Sequence, residues 1–426
     1  MKKNKKIALF GNSNNNFFSL ARYLRDRGYD ADLFLCNNEL PHFHPSCDSY
    51  SLDFIHYTFL LPFGNLYWFL DEIEGLKKNE SLLSRLRNYD IIFANGPSVA
   101  YLSYFDIPID FFVPYGMDLV NYPFYVNSAN PSHRKHLDTF SLYQSKGIKE
   151  SKKLLSTEDI LNVAAYEESI RKLDLSSKVV AFKTFPYIYM EFYQREVIPR
   201  FFNASYWAED FYALTKDSQF VVFHHARHSW KSVREEGRRV ADKCNDRVLQ
   251  AFAGMVKDAK KYKPKLLTFE YGSDINASKQ MVEELGIQNY VQWLPIMNRK
   301  DIMVGLYYAS CATGQFHIGC IGGGVQSEAL VASVPLVHYV NPLRYDLNEI
   351  YPFIQAKEIE EIQKGFESCL KNPKKYQQMA NDALKWMQRE MLLAVNGICE
   401  LIEDRLVSIS TLGDLCVKPI QYKTKD

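Results

Sequence analysis

The chain has 426 residues, of which 47% are hydrophobic and 24% are charged, a composition typical of a globular protein. Because this length exceeds what one hydrophobic core usually supports, we expect two domains of roughly 200 residues each. The 51 basic and 50 acidic side chains leave a net charge of +1, which argues against a nucleic acid as partner.

The cysteines and the apolar runs indicate where the protein resides. The eight cysteines have no C-x-x-C spacing, which favours reduced thiols and gives no zinc motif. The apolar run behind the lysine-rich start ends at Phe10, too early for a signal peptide. Since no run of about 18 apolar residues would form a transmembrane helix, we expect a cytoplasmic protein.

The first half of the sequence begins like a parallel α/β sheet. Strands are predicted at 7–10, 31–36, 90–94 and 109–113 and again after 178, with a helix at 16–27 and mostly helical structure at 125–175. Glycine-containing turns follow three of these strands, where ligands bind in such sheets. The candidate binding residues in these turns are Gly11, Asn12, Gly96, Tyr115, Gly116 and Asp118.

The second half repeats this alternation from a strong strand near residue 220. Strands are predicted at 265–270, 290–294 and 334–340, helices at 246–256, 277–285 and 299–308, and a helical tail at about 357–406. The fold class is therefore predicted to be α/β, with two Rossmann-like domains facing across a cleft. We place the domains at 1–205 and 206–380, and expect the tail at 381–426 to bridge them and pack back on the first.

Four features of the second half together describe a site for a nucleoside diphosphate. Arg227 follows a strand, Lys243 precedes a helix, a glycine run opens another helix, and Glu328 lies in the first turns of that helix. Cations and a bare helix N-terminus bind phosphates, and a carboxylate accepts hydrogen bonds from vicinal hydroxyls. Singly, each has another explanation: a solvated cation, close glycine packing, or an acidic partner of the helix dipole.

The stretches KCNDRVLQAF, KLLTFEYGSD, ELGIQNYVQWLP and GGGVQSEALVASVP resemble the donor half of the large retaining family of GT-B glycosyltransferases. This family includes many bacterial mannosyl-, glucosyl- and N-acetylhexosaminyltransferases. The resemblance covers residues 220–340. It implies that Arg227 and Lys243 are catalytic cations on the donor diphosphate and that Glu328 holds the donor ribose. The other donor-binding residues that it implies are Gly322, Gly323, Gly324, Glu270, Gly272, Leu294 and Pro295.

The sequence departs from the family pattern at three places. Cys320 stands where the family has the first Glu of its Glu-x7-Glu motif, which contacts the donor sugar, so the identity of that sugar is open. Cys244 follows Lys243 where the family has Gly. In the first half, Tyr115 opens a Tyr-Gly-Met-Asp stretch where many relatives have His-Gly-x-Asp.

The resemblance implies transfer of a sugar, with retention, from a UDP or GDP donor to a hydroxyl of a glycan or lipid-linked acceptor in cell-surface polysaccharide biosynthesis. No cofactor and no metal are expected. The lysine-rich start and the lysines from 257 to 265 suggest peripheral contact with an anionic membrane, although a solvated helix face also explains them. Two alternatives stay open: a sugar-nucleotide epimerase, and a non-catalytic protein that binds nucleotide sugars.

Overall fold

The structure, a computed structural model, describes residues 5–37, 39–125, 132–161, 163–238 and 241–416, with side chains up to residue 408. The chain divides into two compact units. Unit 1 holds the described residues of Met1–His44, Asp53–Tyr187 and Met391–Asp426, and unit 2 holds Pro45–Leu52 and Ile188–Glu390. The units thus divide after residues 187 and 390, whereas the sequence suggested 205 and 380.

Unit 1 is built on one parallel sheet of seven strands in the order β3-β2-β1-β4-β5-β6-β7. The strands are β1 Lys6–Phe10, β2 Asp30–Cys36, β3 Thr58–Leu61, β4 Ile91–Ala94, β5 Phe111–Phe112, β6 Lys153–Thr157 and β7 Val179–Phe182. The helices are α1 Asn16–Asp26, α2 Phe69–Lys77, α3 Glu80–Arg87, α4 Ser98–Tyr104, α5 Met117–Val120, α6 Arg134–Glu150, α7 Glu158–Leu161 and α8 Ala164–Lys172.

The alternation of side chains along β1 explains how this sheet is covered on both faces. Ile7 and Leu9 belong to the hydrophobic cluster that includes α1. Ala8 and Phe10 belong to a second cluster, which includes α4. Because successive side chains of a strand point to opposite faces, a strand buried on both faces is apolar throughout.

Unit 2 is built on a second parallel sheet, of six strands in the order β10-β9-β8-β11-β12-β13. The strands are β8 Val221–His224, β9 Lys265–Phe269, β10 Val291–Leu294, β11 Cys311–Thr313, β12 Leu336–His338 and β13 Ile354–Gln355. The helices are α9 Ala208–Thr215, α10 Lys231–Glu235, α11 Asn245–Ala259, α12 Ile275–Glu284, α13 Arg299–Tyr307, α14 Gly324–Val331, α15 Ile359–Lys371 and α16 Pro373–Cys416.

The helical tail that the sequence predicted at about 357–406 is present and is divided in the structure. It consists of two helices, α15 and α16, and Asn372 between them has non-helical angles of φ −133° and ψ 57°. Proline at position 373 explains the break, because it disfavours the helical conformation of the residue before it. The end of α16 contributes Ile398, Ile402 and Leu406 to the core of unit 1.

In each sheet the strand order reverses at one point, between β1 and β4 in unit 1 and between β8 and β11 in unit 2. In open parallel sheets, ligands bind at this point, outside the carboxyl ends of the strands. In unit 2, the segments that follow β8 and β11 are the Arg227 loop and the glycine run. The topology therefore brings together two features that the sequence separates by about ninety residues.

Residues 45–52 belong to unit 2 although they lie in the sequence between β2 and β3 of unit 1. The hydroxyl of Tyr50 donates a hydrogen bond to the carbonyl of Lys300 (2.8 Å). The ring of Tyr50 stacks on Phe201 with 4.8 Å between centroids. Asp48 is completely buried. This segment is therefore an integral part of unit 2.

Candidate functional site

The loop after β8 carries one exposed cation among buried histidines. His224 receives a hydrogen bond from Asn245 (2.9 Å) and pairs with Thr313 (2.6 Å). His228 is hydrogen-bonded to Ser278 and Thr268. Burial lowers the pKa of both histidines, that of His228 to about 4. Both are therefore neutral, and their hydrogen bonds hold the loop in place. Arg227 is the exposed residue of this loop.

The start of α11 is tied directly to this loop. The side chain of Asn245 accepts a hydrogen bond from the Ser229 N–H (3.0 Å) and donates one to the Arg227 carbonyl (3.3 Å). The Lys243 N–H donates to the Ser229 carbonyl (2.8 Å). These bonds fix Lys243 beside Arg227. No sequence motif indicated Asn245, because its role depends on contacts between separate elements.

Lys243 is half-buried and donates no side-chain hydrogen bond to any residue that the structure describes. Burial, and after it the nearby charge of Arg227, lower the pKa of its ammonium to about 8, whereas Cys320 and Asp242 oppose the shift. Two neighbouring cations raise each other's free energy, and a bound anion would offset this cost. The electrostatic influence of Arg227 and Cys320 on Lys243 places all three residues in one site.

The glycine run provides close approach to the backbone at the start of α14. Gly324 is exposed and is the first residue of α14, and Gly322 before it is half-buried. Gly323 has a φ of +149°, and a Cβ there would lie 2.5 Å from Gln326 Oε1. The first N–H groups of a helix have no acceptor within it and favour an anion. The run therefore offers an anion-binding surface next to the two cations.

The two cysteines at the family's motif positions have different environments. Cys244 adopts the left-handed conformation (φ 52°, ψ 37°) at the start of α11, which is the conformation that the family's glycine adopts most easily. A non-glycine residue there costs about 1–3 kcal/mol. Cys320 is half-buried and lies near Lys243. It supplies no carboxylate for a donor sugar.

Glu328 is buried, and both of its carboxylate oxygens have partners. The Nε2–H of His225 donates to one oxygen (2.9 Å) and Nε of Arg299 donates to the other (3.1 Å). Burial raises the pKa of the carboxyl group, but His225 and Arg299 outweigh it and hold this pKa below its usual value. Glu328 is therefore an ionised carboxylate in a fixed position. Each oxygen retains a second lone pair that a hydroxyl can use.

Arg299 extends this network to residues that the sequence did not single out. Its Nη1 donates to Asp48 Oδ2 (3.3 Å), and the hydroxyl of Tyr193 donates to Asp48 Oδ1 (2.8 Å). The Arg299 side chain is 7% exposed and that of Asp48 is 0% exposed. A buried cation thus lies between two buried carboxylates. No sequence signal predicted this, because the three charged residues come from three distant segments.

The residues predicted for the base-binding edge lie at the ends of β9 and β10. The Glu270 N–H donates to the Leu294 carbonyl (2.8 Å), and the exposed Glu270 carboxylate pairs with Lys279 (2.6 Å). Gly272 has a φ of +117°, and a Cβ there would lie 2.2 Å from the His228 carbonyl oxygen. Leu294 is buried, and Pro295 is exposed. The structure therefore brings this edge against the Arg227 loop.

In unit 1, the predicted acceptor-side residues come together where β1, β4 and β5 end. The buried carboxylate of Asp118 accepts hydrogen bonds of 2.9 Å from the N–H groups of Gly96, Tyr115 and Gly116. A Cβ on Gly11 would lie 2.2 Å from Asn95 Oδ1. Asp118 therefore organises these loops, while the side chain of Tyr115 is 43% exposed.

Asn12 and Glu39 complete this cluster. The Asn12 side chain accepts a hydrogen bond from the Phe18 N–H (2.8 Å) and donates one to Asn15 (2.9 Å). The Asn12 N–H donates to Glu39 (2.5 Å). Burial raises the pKa of Glu39 to about 8, although backbone hydrogen bonds oppose it. Glu39, which no motif indicated, is thus a carboxyl group that titrates near neutral pH beside the predicted acceptor loops.

One set of metal-ligating side chains lies close together in the described part of the chain: Asp242, Cys244 and His317, with ligand atoms within 4.8 Å of one another. Both oxygens of Asp242 already accept hydrogen bonds from Arg234. Burial and nearby carboxylates raise the pKa of the Cys244 thiol to about 12. The predicted absence of a metal therefore stays a prediction.

No family model and no curated protein match this sequence. Among the helices that the structure describes, none has both the length and the apolar character needed to cross a membrane.

Solved structures do resemble the chain. Anabaena HepE in complex with UDP and glucose has a TM-score of 0.58 at 16% identity, over 94% of this chain and 100% of that one. Sucrose-phosphate synthase from Thermosynechococcus elongatus has a TM-score of 0.55 at 13% identity, over 95% and 100% of the two chains. UDP-GlcNAc 2-epimerase from Neisseria meningitidis bound to UDP-GlcNAc has a TM-score of 0.53 at 15% identity, over 94% and 100%. With its two parallel sheets, the chain has the GT-B fold, as the sequence predicted.

Proposed function

We propose that the chain is a metal-independent glycosyltransferase that moves a sugar from a nucleoside diphosphate donor to an acceptor hydroxyl. The observation that carries the proposal is the cluster at the strand-order reversal of unit 2. There, Arg227 and Lys243 lie together, and among the described residues neither side chain forms a salt bridge, although Asp242 is near enough to influence Lys243. The open start of α14 follows the neighbouring strand β11. This arrangement suits a diphosphate.

The chemistry follows from where charge develops. When the bond between the anomeric carbon and the diphosphate oxygen breaks, negative charge grows on the departing nucleoside diphosphate. Arg227, Lys243 and the first N–H groups of α14 stabilise that charge, and such preorganised groups act most strongly where it develops. The acceptor hydroxyl forms the new bond to the anomeric carbon on the face that the diphosphate leaves, with retention of configuration, and its proton passes to the departing diphosphate oxygen.

UDP is the favoured donor nucleotide, and GDP is the alternative. The support for UDP is that similar solved structures are complexes with UDP and glucose, with UDP-glucose and with UDP-GlcNAc. The ribose hydroxyls bind the fixed carboxylate of Glu328, and the base binds beside Gly272 and Leu294. Cys320 in place of a glutamate makes the contact to the sugar different from that of the family.

The acceptor is a glycan or lipid-linked glycan of cell-surface polysaccharide, bound by the loops that Asp118 organises in unit 1. Tyr115 presents an exposed aromatic ring there, a surface that suits a sugar. Lysines between 257 and 265 hold the protein at an anionic membrane surface, although Lys265 also donates a hydrogen bond to the Leu214 carbonyl.

Binding and turnover test the proposal separately. Calorimetry with UDP and GDP, followed by a radiolabelled transfer assay with UDP-hexoses and membrane glycolipid extracts, is run on the native protein and on R227A and K243A. We expect each variant to lose at least about a hundredfold in turnover, in line with removal of one transition-state donor. R200A, at an exposed arginine of the same unit, is the control. Near-normal transfer by both site variants would refute the assignment.

The likeness to an epimerase structure bound to UDP-GlcNAc favours one second candidate, a sugar-nucleotide epimerase. An epimerase needs no acceptor, so incubation with UDP-GlcNAc alone, followed by proton NMR of the anomeric region, distinguishes the two. A new anomeric signal without acceptor would establish the epimerase. UDP binding without turnover in either assay would instead identify a non-catalytic nucleotide-sugar-binding protein, and the C320E variant would then gain no activity.

A further inference from the structure

Unit 2 contains a cavity of about 410 Å³ far from the strand ends that carry the candidate donor site. Its lining includes Phe220, Ser310 and Pro335, each of which directly precedes or closely approaches the start of β8, β11 or β12. In a parallel sheet all strands start at the same edge. The cavity therefore lies at the amino edge of the sheet, opposite the carboxyl edge where Arg227 and the glycine run are found.

Arg195 is the distinctive residue of this cavity. Its Nη1 atom is buried and has no hydrogen-bond partner among the described residues. The guanidinium carbon lies 5.3 Å from the ring centroid of Tyr307, a cation–π contact. Burial lowers the pKa of this guanidinium. Arg195 itself is half-buried, and a buried donor of a charged group without an acceptor is costly, so the Nη1 atom keeps hydrogen-bonding capacity that no described residue uses.

The other side chains that line the cavity add positive charge and no negative charge. Lys374 contributes a second cation from the first turn of α16, whose N-terminal end also carries a partial positive charge. The residues that line the cavity include no Asp and no Glu. Tyr308, Tyr376 and Gln219 add polar groups. Two cations, a helix start and no acidic side chain make a pocket suited to an anion.

We propose that this cavity is a second ligand site, which binds a small anion carrying a phosphate or carboxylate group between Arg195 and Lys374. The anion accepts hydrogen bonds from the N–H groups of Arg195, and its negative charge neutralises both cations. A volume of about 410 Å³ lies within the usual range for small-molecule sites, about 300–1,000 Å³. Since the site lies at the other edge of the sheet, its ligand does not compete with the nucleotide.

Calorimetry and thermal melting with inorganic phosphate in one arm and citrate in the other test this site. We expect one of the two anions to bind the native protein and raise its melting temperature. In R195M the affinity falls on the order of 10- to 100-fold, the effect of losing a charged hydrogen bond, and in K374M it falls by less. R200M, at an exposed arginine in the same stretch of chain, binds like the native protein.

Two further measurements separate this site from the donor site and from misfolding. Without anion, R195M melts no lower than the native protein, because it removes a half-buried charge whose buried Nη1 atom has no acceptor among the described residues. R227A keeps the anion affinity, whereas R195M keeps the UDP affinity. Equal anion binding by R195M and the native protein, loss of it in R227A, or no binding in either arm would each overturn the inference. UDP binding and sugar transfer are independent of all three outcomes.

Discussion

Replacement of Arg299 by methionine tests whether the buried charge network holds unit 2 together. Methionine has a similar length and no charge, so the substitution leaves the packing volume nearly intact. It removes the cation that lies 3.1 Å from Glu328 and 3.3 Å from Asp48. Both carboxylates are buried; Glu328 then retains its hydrogen bond from His225, and Asp48 retains its hydrogen bond from Tyr193.

The expected cost is large because two buried carboxylates lose their shared counter-charge. Removal of one partner from a buried ion pair costs about 3–5 kcal/mol. For a cooperative unit of roughly 200 residues, about 2–4 °C of melting temperature correspond to each kcal/mol, so the melting temperature falls by about 6–20 °C. The pKa of Glu328 is held low in the folded state. The stability that its ionised form contributes is therefore present above pH about 4.3 and is lost as the pH falls through the lower folded-state value.

Differential scanning calorimetry and urea unfolding of R299M at pH 7 and at the lowest pH that keeps the native protein folded measure this effect. The triple variant R299M/D48N/E328Q removes all three charges and is expected to recover part of the loss, since neutral side chains tolerate burial better than charges do. An R299M variant within about 1 kcal/mol of the native protein at pH 7, or a destabilisation that does not shrink in acid, would refute the reasoning.

Three further predictions concern the donor site. The affinity for UDP is expected to decrease as the pH rises through about 8, because Lys243 loses its proton there, and K243R, which stays charged, is expected to keep its affinity; identical pH profiles in calorimetry would contradict this. Dialysis against EDTA is expected to leave UDP binding and transfer unchanged, and restoration of lost transfer by added Zn²⁺ would assign a metal to Asp242, Cys244 and His317. G319A is expected to lose at least about 1–3 kcal/mol in urea unfolding, because Gly319 has a φ of +73° and a Cβ would lie 2.6 Å from Asn341 N. G286A, which has a φ of +67° but open space around it, is the control and is expected to lose less; equal losses would show that the contact is unimportant.

Local patterns were sufficient for much of the fold. β1, α1 and β2 lie where the apolar periodicity and the glycine at position 28 predicted them, as do β8, α11 and α13. The strands β3, β6, β11 and β13 were missed. β3 is a four-residue strand at the edge of the sheet, and Leu61 is its one buried residue. β6 is five residues long, follows a polar helix and is identified only by its place in the sheet.

The candidate site was predictable only in part, for a related reason. Arg227, Lys243 and the glycine run were recognisable because each stands next to its own strand or helix, and parallel topology then brings them together. The hydrogen bonds of His225, Glu328 and Arg299 join separate elements, and no local sequence spacing predicts them. The brace formed by Asn245 is of the same kind. Sequence therefore indicated which groups we propose to meet the ligand but not which groups hold them in place.

The segment 45–52 also has a consequence for how the protein is made. Asp48 precedes Arg299, its ion-pair partner, by 251 residues. At a synthesis rate of about 5–20 residues per second, roughly 13–50 s pass between the emergence of the two side chains. During that interval residues 45–52 have been synthesised, but the part of unit 2 that they contact has not. During translation, residues 45–52 therefore cannot take up their final contacts until the rest of unit 2 has been made. A fragment that starts at residue 188 lacks this buried segment of unit 2.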